Sequence, residues 1–169
     1  MASIWYWQAL KIATELGIKK AQAPMFHALN GCDTVSSFVG HTKKTAWTIW
    51  NVLPQLTHAM LALSHAPREV REDALQMVER FVILMYTTGP VNALTLTRPT
   101  QKFFADVKRI PPTKAALEQH VMRAVYQGGH KWGQALLAFP VLPLPTSWGW
   151  KKTEGGLYEP NWTTLPEVA

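Results

Sequence analysis

The chain has 169 residues, 47% of them hydrophobic and only 17% charged. That length suits one domain, or one domain with an extended tail, and so few charges exclude a long disordered polar chain. A formal net charge of +6 admits a polyanionic partner, and the single cysteine excludes an intramolecular disulfide and an all-cysteine zinc site.

The opening "MASIWYWQALKIATELGIKK" predicts an aromatic-rich helix over 4–16, stopped by Gly17. It does not read as a signal peptide: its basic residues follow the apolar stretch, and Gln8, Lys11 and Glu15 interrupt that stretch. No window reaches the roughly 18 apolar residues of a membrane span. The expectation is an intracellular protein, with the nucleus open to it and no membrane partner.

Pro24 opens a short helix through Asn30, and Gly31 breaks it. The next helix begins at Thr42 or Lys43 and runs to about Asn51, its apolar Ala46, Trp47, Ile49 and Trp50 covering two adjacent faces. Pro54 opens "PQLTHAMLALSH", which ends before Pro67. The clearest periodicity lies in 68–87, where Val70, Ala74, Met77, Phe81 and Leu84 recur at helical spacing. Arg68 and Glu72 can pair there across one turn, and acids gather where the helix dipole favours them. "FVILMY" is apolar all round, which predicts burial on several sides. Gly89-Pro90 stops this helix, and another is expected near 99–109.

"PPTKAALEQHVMRAVYQGG" predicts a sharply bounded helix, with Thr113 as N-cap, Leu117, Val121 and Val125 as its stripe, and Gly128-Gly129 as its end. "HKWGQALLA" allows one last short helix. From Pro140 onward proline, glycine and tryptophan dominate, so the chain should run extended and turn-rich, with tryptophans anchoring it to the body. The predicted fold is all-α: a multi-helix domain over 1–139 and an extended strap over 140–169 packed on it, with no internal repeat and no series of strands.

Chemistry gathers in "FHALNGCDTVSSFVGHTKKTAWTIW". Asp33 reads either as a loop metal ligand or as a turn-stabilising carboxylate. Holding two hard cations for phosphodiester hydrolysis takes several carboxylates, and before Glu69 the only acids are Glu15 and Asp33. Gly40-His41-Thr42-Lys43-Lys44-Thr45 reads either as a glycine turn offering a helix N-terminus to a phosphate or as a turn with a solvated lysine pair. Cys32 reads as packing rather than as a thiol nucleophile with His27 or His41, and the six histidines show no metal spacing. The eight tryptophans are read as core and strap anchors ahead of base-stacking platforms. Lys102, Lys108, Arg109, Lys114, Arg123, Lys131, Lys151 and Lys152 form a basic surface only if the fold brings them to one face.

Over about 20 residues, "GCDTVSSFVGHTKKTAW" resembles the Gly-Cys-Asp turn and helix–hairpin–helix of flap-endonuclease-type 5′-nucleases, whose catalytic part is PIN-like. The resemblance places Asp33 in a metal position, Gly40 as the first hairpin glycine, and Lys44 and Ala46 at the start of the second helix; Thr42 stands where the family has a second glycine. A longer likeness, carried by "FHALNGCDTVSSF", "KKTAW", "IPPTKAALEQHVMRAVYQGGHKWGQAL" and "WGWKK", is to a family of animal proteins, abundant in fish and cnidarian genomes, with the marks of mobile-element origin. In its longer members further acids lie upstream and a cysteine-rich tail downstream. The resemblance implies a nucleic-acid-binding portion of a nuclease-like protein, inactive alone, with DNA as partner, Gly40, Thr42, Lys43 and Lys44 as the DNA-binding residues, and Mg2+ only in a complete parent protein. The other readings are an active metal-dependent nuclease and a protein-interaction module that binds no nucleic acid.

Overall fold

The computed structural model describes residues 22–87 and 110–164. Five α-helices carry most of the ordered chain: α1 (Ala23–Leu29), α2 (Lys43–Val52), α3 (Leu56–Ser64), α4 (Glu72–Thr87) and α5 (Lys114–Val125). The helices expected over 4–16 and near 99–109, with the Gly89-Pro90 stop, fall outside the described residues. Among the described residues no helix is long and apolar enough to cross a membrane.

Local chemistry sets the observed boundaries. Thr42 caps α2, its hydroxyl accepting from the Thr45 N–H at 3.2 Å, and Thr113 caps α5 by accepting from the Ala116 N–H at 3.3 Å. Helix α4 starts four residues later than the periodicity predicts, at Glu72 instead of Arg68. Arg68 therefore never faces Glu72. The Glu72 carboxylate instead takes Gln76 at 3.1 Å and Lys114 of α5 at 3.0 Å, while Arg71 grips Asp73. The "FVILMY" stretch is buried through Phe81, Val82, Met85 and Tyr86, but Ile83 is exposed, so burial is one-sided.

The centre of the fold is α5 and its continuation. Gly128-Gly129 does not end this helix: Tyr126–Lys131 carries on as a π-helical turn. Neighbours crowd both glycines, mainly side-chain atoms at Gly128 and backbone at Gly129. A Cβ at Gly128 would lie 3.0 Å from the Met25 sulfur and 3.2 Å from the Ala28 Cβ, both on α1. A Cβ at Gly129 would lie 2.8 Å from the Leu63 carbonyl oxygen on α3. The turn thus meets α1 and α3 almost backbone to backbone, while α5 itself packs on α1 and α4. Met25, Leu29, Leu56, Met60, Leu63, Val78, Phe81, Leu117 and Val121 fill the space between as one fully buried core, each such side chain contributing about 1.5–3 kcal/mol relative to exposure. Helix α2 joins through Trp50, which is wholly buried, stacks on Phe26 at 4.8 Å and donates its indole N–H to Thr57 at 3.0 Å. Trp47 meets the same Phe26 edge-on at 5.5 Å.

The C-terminal part is extended, as proline content requires, but it is not strand-free. Strands β1 (Trp150–Lys152) and β2 (Tyr158–Pro160) pair antiparallel as a small hairpin, with Lys151 opposite Glu159. The fold is mostly helical rather than purely so. Trp148 buries itself against His130, with ring centroids 4.5 Å apart. Arg123, a candidate for the basic surface, is in fact 2% exposed. Its guanidinium donates to the Gly149 carbonyl at 3.2 Å and to the Asn161 carbonyl, and the Trp162 ring lies over it at 5.3 Å. Gly149 permits this clasp: it sits at φ +80°, and a Cβ there would lie 2.6 Å from the Gln119 carbonyl oxygen.

These close approaches set clear expectations for stability. Gly129→Ala and Gly149→Ala should each cost about 2–3 kcal/mol, because the neighbours are backbone atoms that cannot give way. Gly133→Ala, where nothing lies within 4 Å, should be neutral or stabilising by about 0.5 kcal/mol. Chemical denaturation of the three variants checks the ranking, and equal midpoints would refute it.

Candidate functional site

Residues 30–42 link α1 to α2 and hold the residues singled out for chemistry. The link doubles back on itself. Gly31 (φ +99°) turns it so tightly that a Cβ there would fall 2.7 Å from the Ser37 Cα. Cys32 and Val35 then exchange backbone hydrogen bonds of 2.9 and 3.2 Å. Val35 and Phe38 plug the loop into the core. A second left-handed glycine, Gly40 (φ +79°), redirects the chain into the N-terminus of α2.

Asp33 stands exposed at the tip of the Cys32–Val35 bridge. Among the described residues no three His, Cys, Asp or Glu side chains come together to hold a metal ion. A hard divalent cation takes six or more oxygen ligands, several of them carboxylates in a hydrolytic site. Asp33 with its described neighbours does not make that donor set. Cys32 is half-buried against the core, with its sulfur 3.7 Å from the Thr34 hydroxyl, which itself donates to Gln127 at 3.0 Å.

The other candidates share one exposed corner. Gly40, Thr42, Lys43 and Lys44 are all exposed around the start of α2, whose first turn holds no acid. Thr42 has φ −93° and ψ 158°, ordinary extended backbone, so its Cβ brings no strain where the resembled family has glycine. Its hydroxyl does occupy one helix N–H. The N–H groups of Lys43 and Lys44, at the first two helical positions, have no intrahelical acceptor to reach. Lys43 turns its ammonium onto His27 Nδ1 at 2.5 Å. That contact requires a neutral imidazole, and burial together with the Lys43 charge holds the His27 pKa below its ordinary value. His41 lies on the Tyr86 ring, centroids 4.3 Å apart, and burial lowers its pKa too. Among the described residues no carboxylate pairs with Lys43 or Lys44. Of the wider basic set, Arg123 is buried and Lys114 pairs with Glu72, while Lys131, Lys151 and Lys152 are exposed and Lys102, Lys108 and Arg109 lie outside the described residues.

Sequence reading missed His120. This residue is 7% exposed on α5, and its Nε2–H donates to the Leu29 carbonyl at 2.8 Å. With Nε2 carrying the proton, Nδ1 accepts from the Ser36 hydroxyl at 3.2 Å. The ring also tilts against Phe38 at 4.7 Å. Beside it opens a cleft of about 420 Å³, walled by Ser36–Val39, Tyr86, His120, Arg123 and Trp162. A serine hydroxyl on an imidazole is the arrangement of an activated nucleophile. Burial, however, pushes the His120 pKa down to about 4, and such a ring is too weak a base to activate a hydroxyl at neutral pH. The pair ties loop 30–42 to α5. The signal was present in the stripe: His120 lies three residues after Leu117 and one before Val121, on the buried face.

Comparison with family models, with curated proteins and with solved structures finds no match. The site therefore rests on its own geometry.

That geometry makes stability depend on pH. A histidine whose folded pKa is depressed stabilises fully above its unfolded value of 6.5, and the contribution is lost as pH falls toward about 4. For His120 the gap corresponds to about 3 kcal/mol, and His27, His41 and His130 act in the same direction. The melting temperature should therefore drop between pH 7 and 4.5. His120→Gln, which can donate to Leu29 and accept from Ser36 without titrating, should flatten part of that drop; an unchanged pH slope in the variant would remove His120 from the account.

Proposed function

We propose that this chain binds nucleic acid through the phosphate backbone, at the corner formed by Gly40, Thr42, Lys43 and Lys44. The observation that supports it is a left-handed glycine turn leading into an exposed helix N-terminus, with two adjacent lysines and no acid in the first turn. Partial positive charge from the helix end and its unpaired N–H groups favour an anion there, with the exposed Lys44 beside them and the Lys43 ammonium held on His27. Phosphates of a duplex are the natural occupant for a chain of net charge +6. In this reading α1, loop 30–42 and α2 work as a helix–hairpin–helix-like element. Backbone contacts of this kind position a protein without reading sequence.

The resemblance to flap-endonuclease-type proteins fits the same reading, with the chain as the DNA-gripping portion of a nuclease-like protein of mobile-element type and Asp33 beside the grip. Cleavage would require carboxylates from outside the described residues. DNA binding is therefore proposed without catalysis.

Fluorescence anisotropy with a short labelled duplex tests it. Affinity should fall steeply with salt. Lys43→Ala with Lys44→Ala should weaken binding by about ten-fold or more in low salt and reduce the logarithmic salt slope by about 1.8, the value for two phosphate contacts. Asp33→Asn, which removes a negative charge near the path, should leave binding equal or tighter. No binding by the unaltered chain in low salt would end the proposal.

A further inference from the structure

A different region carries an independent inference. The nineteen residues from Trp132 to Trp150 contain no charged side chain and include "FPVLPLP" over 139–145. A globular surface ordinarily keeps such a run inside. Here Phe139 is 90% exposed, Val141 82% and Leu144 69%, so the run displays its apolar groups.

The backbone explains why it can do so without collapsing. Pro140, Pro143 and Pro145 fix φ at the polyproline II value and remove three N–H donors. Leu144 has φ −64° and ψ 130°, close to that conformation. The side-chain amide of Gln134 holds Val141 from one side, accepting its N–H and donating to its carbonyl, both at 2.8 Å. Among the described residues Phe139, Leu142 and Pro143 make no backbone hydrogen bond. A polyproline II helix repeats every three residues. Phe139 itself lies in a bend at the head of the segment, and from Pro140 onward Pro140 with Pro143 share one edge and Val141 with Leu144 another.

We propose that residues 139–144 are a docking segment, taken as a polyproline II ligand by a partner domain with an aromatic-lined groove. Four features select that occupant. The prolines bar the segment from extending a partner's sheet as a full strand, because they cannot donate to a ladder. The free carbonyls are the groups that tryptophan and tyrosine donors in such grooves take. Pre-set φ angles and the Gln134 clamp lower the ordering entropy of binding. Finally, the absence of charge sets the subclass. Pro-x-x-Pro readers of the SH3 kind want a flanking basic residue, and the nearest here are Lys131 and Lys151. An aromatic residue directly before Pro-x-x-Pro, as in Phe139-Pro140-Val141-Leu142-Pro143, instead suits an EVH1-type groove, which seats the ring in a pocket and the prolines against aromatic faces.

Calorimetric titration of the full chain with recombinant EVH1-, SH3- and WW-type domains decides it. The EVH1-type domain should bind in the micromolar range, and Phe139→Ala should weaken binding at least about ten-fold. Pro140→Ala with Pro143→Ala should do the same, and Val52→Ala, at an exposed apolar position on α2, should change nothing. Phe139 supports no packing at its exposure, so the melting temperature should stay constant. Absence of binding by all three domains at about 1 mM overturns the proposal. So does a synthetic 136–147 peptide that binds while the full chain does not, since the segment would then be covered in the protein. Binding insensitive to Phe139→Ala, or a dimer in light scattering that this substitution dissolves, overturns it as well.

Discussion

Everything in this fold depends on how closely one turn can approach two helices. The π-helical turn after α5 brings Gly128 onto α1 and Gly129 onto the last carbonyls of α3. A side chain at Gly129 would push the turn off α3, and one at Gly128 would crowd Met25 and Ala28, in the layer that Met25, Leu63 and Val125 now fill. A π turn also widens the helix and shifts its register, which re-aims the residues beyond it. His130 thereby reaches Trp148, and Trp132 stacks on His27 at 5.8 Å. The same close packing imposes strain elsewhere: Ala66, just past the end of α3, sits at φ 49°, a left-handed position where helices ordinarily end on glycine. It lies against Gly129, so the local cost is borne by the interface that needs it.

The C-terminal hairpin is fastened by a polar clasp as well as by the apolar burial of Trp148 just before it. A guanidinium buried without a carboxylate partner would be costly, yet Arg123 is satisfied by two backbone carbonyls and an aromatic face. Gly149 serves both sides of this clasp: its carbonyl accepts from Arg123 and from the Asn161 N–H at 2.9 Å, and its missing side chain leaves room for α5. Burial lowers the Arg123 pKa from its ordinary value. An arginine side chain nevertheless keeps its charge in proteins, so the clasp does not titrate as the histidine ties do.

Much of the helical framework was legible in the sequence because its signals are local. Thr42 and Thr113 announce their helices as N-caps, Pro24 opens α1 and Gly31 closes it, and the stripe of α5 follows directly from spacing. What sequence could not show depends on partners far along the chain. A Gly-Gly pair after a helix has the local look of a terminator, and only the distance to α1 and α3 reveals it as a packing device. Arg123 sits among residues of a helix with polar flanks and counts as a surface cation until the hairpin is found on top of it. The short hairpin itself was hidden by its length, three residues per strand, too few for alternation to register. For the candidate site, the residues around Gly40 share a corner, but the Ser36–His120 tie spans 84 positions and leaves no local trace.

That tie bears on how the corner proposed to take a phosphate is held. Loop 30–42 holds its shape through three separated fixtures: the Gly31 turn, the buried Val35 and Phe38, and the hydrogen bonds from Ser36 to His120 and from His120 to Leu29. Gly40 and Thr42 follow these fixtures by only a few residues, so the entry angle into α2 is set before the chain reaches the exposed corner. A helix end positioned in this way offers its N–H groups without a loop-ordering cost when an anion arrives. Lys43 is likewise held, by His27, while Lys44 has no fixed partner among the described residues and keeps its freedom to follow a phosphate. Rigid backbone with one anchored and one free ammonium suits backbone gripping, where geometry varies with groove and sequence, better than it suits a closed anion cage. The burial that makes His120 a firm tie also lowers its basicity.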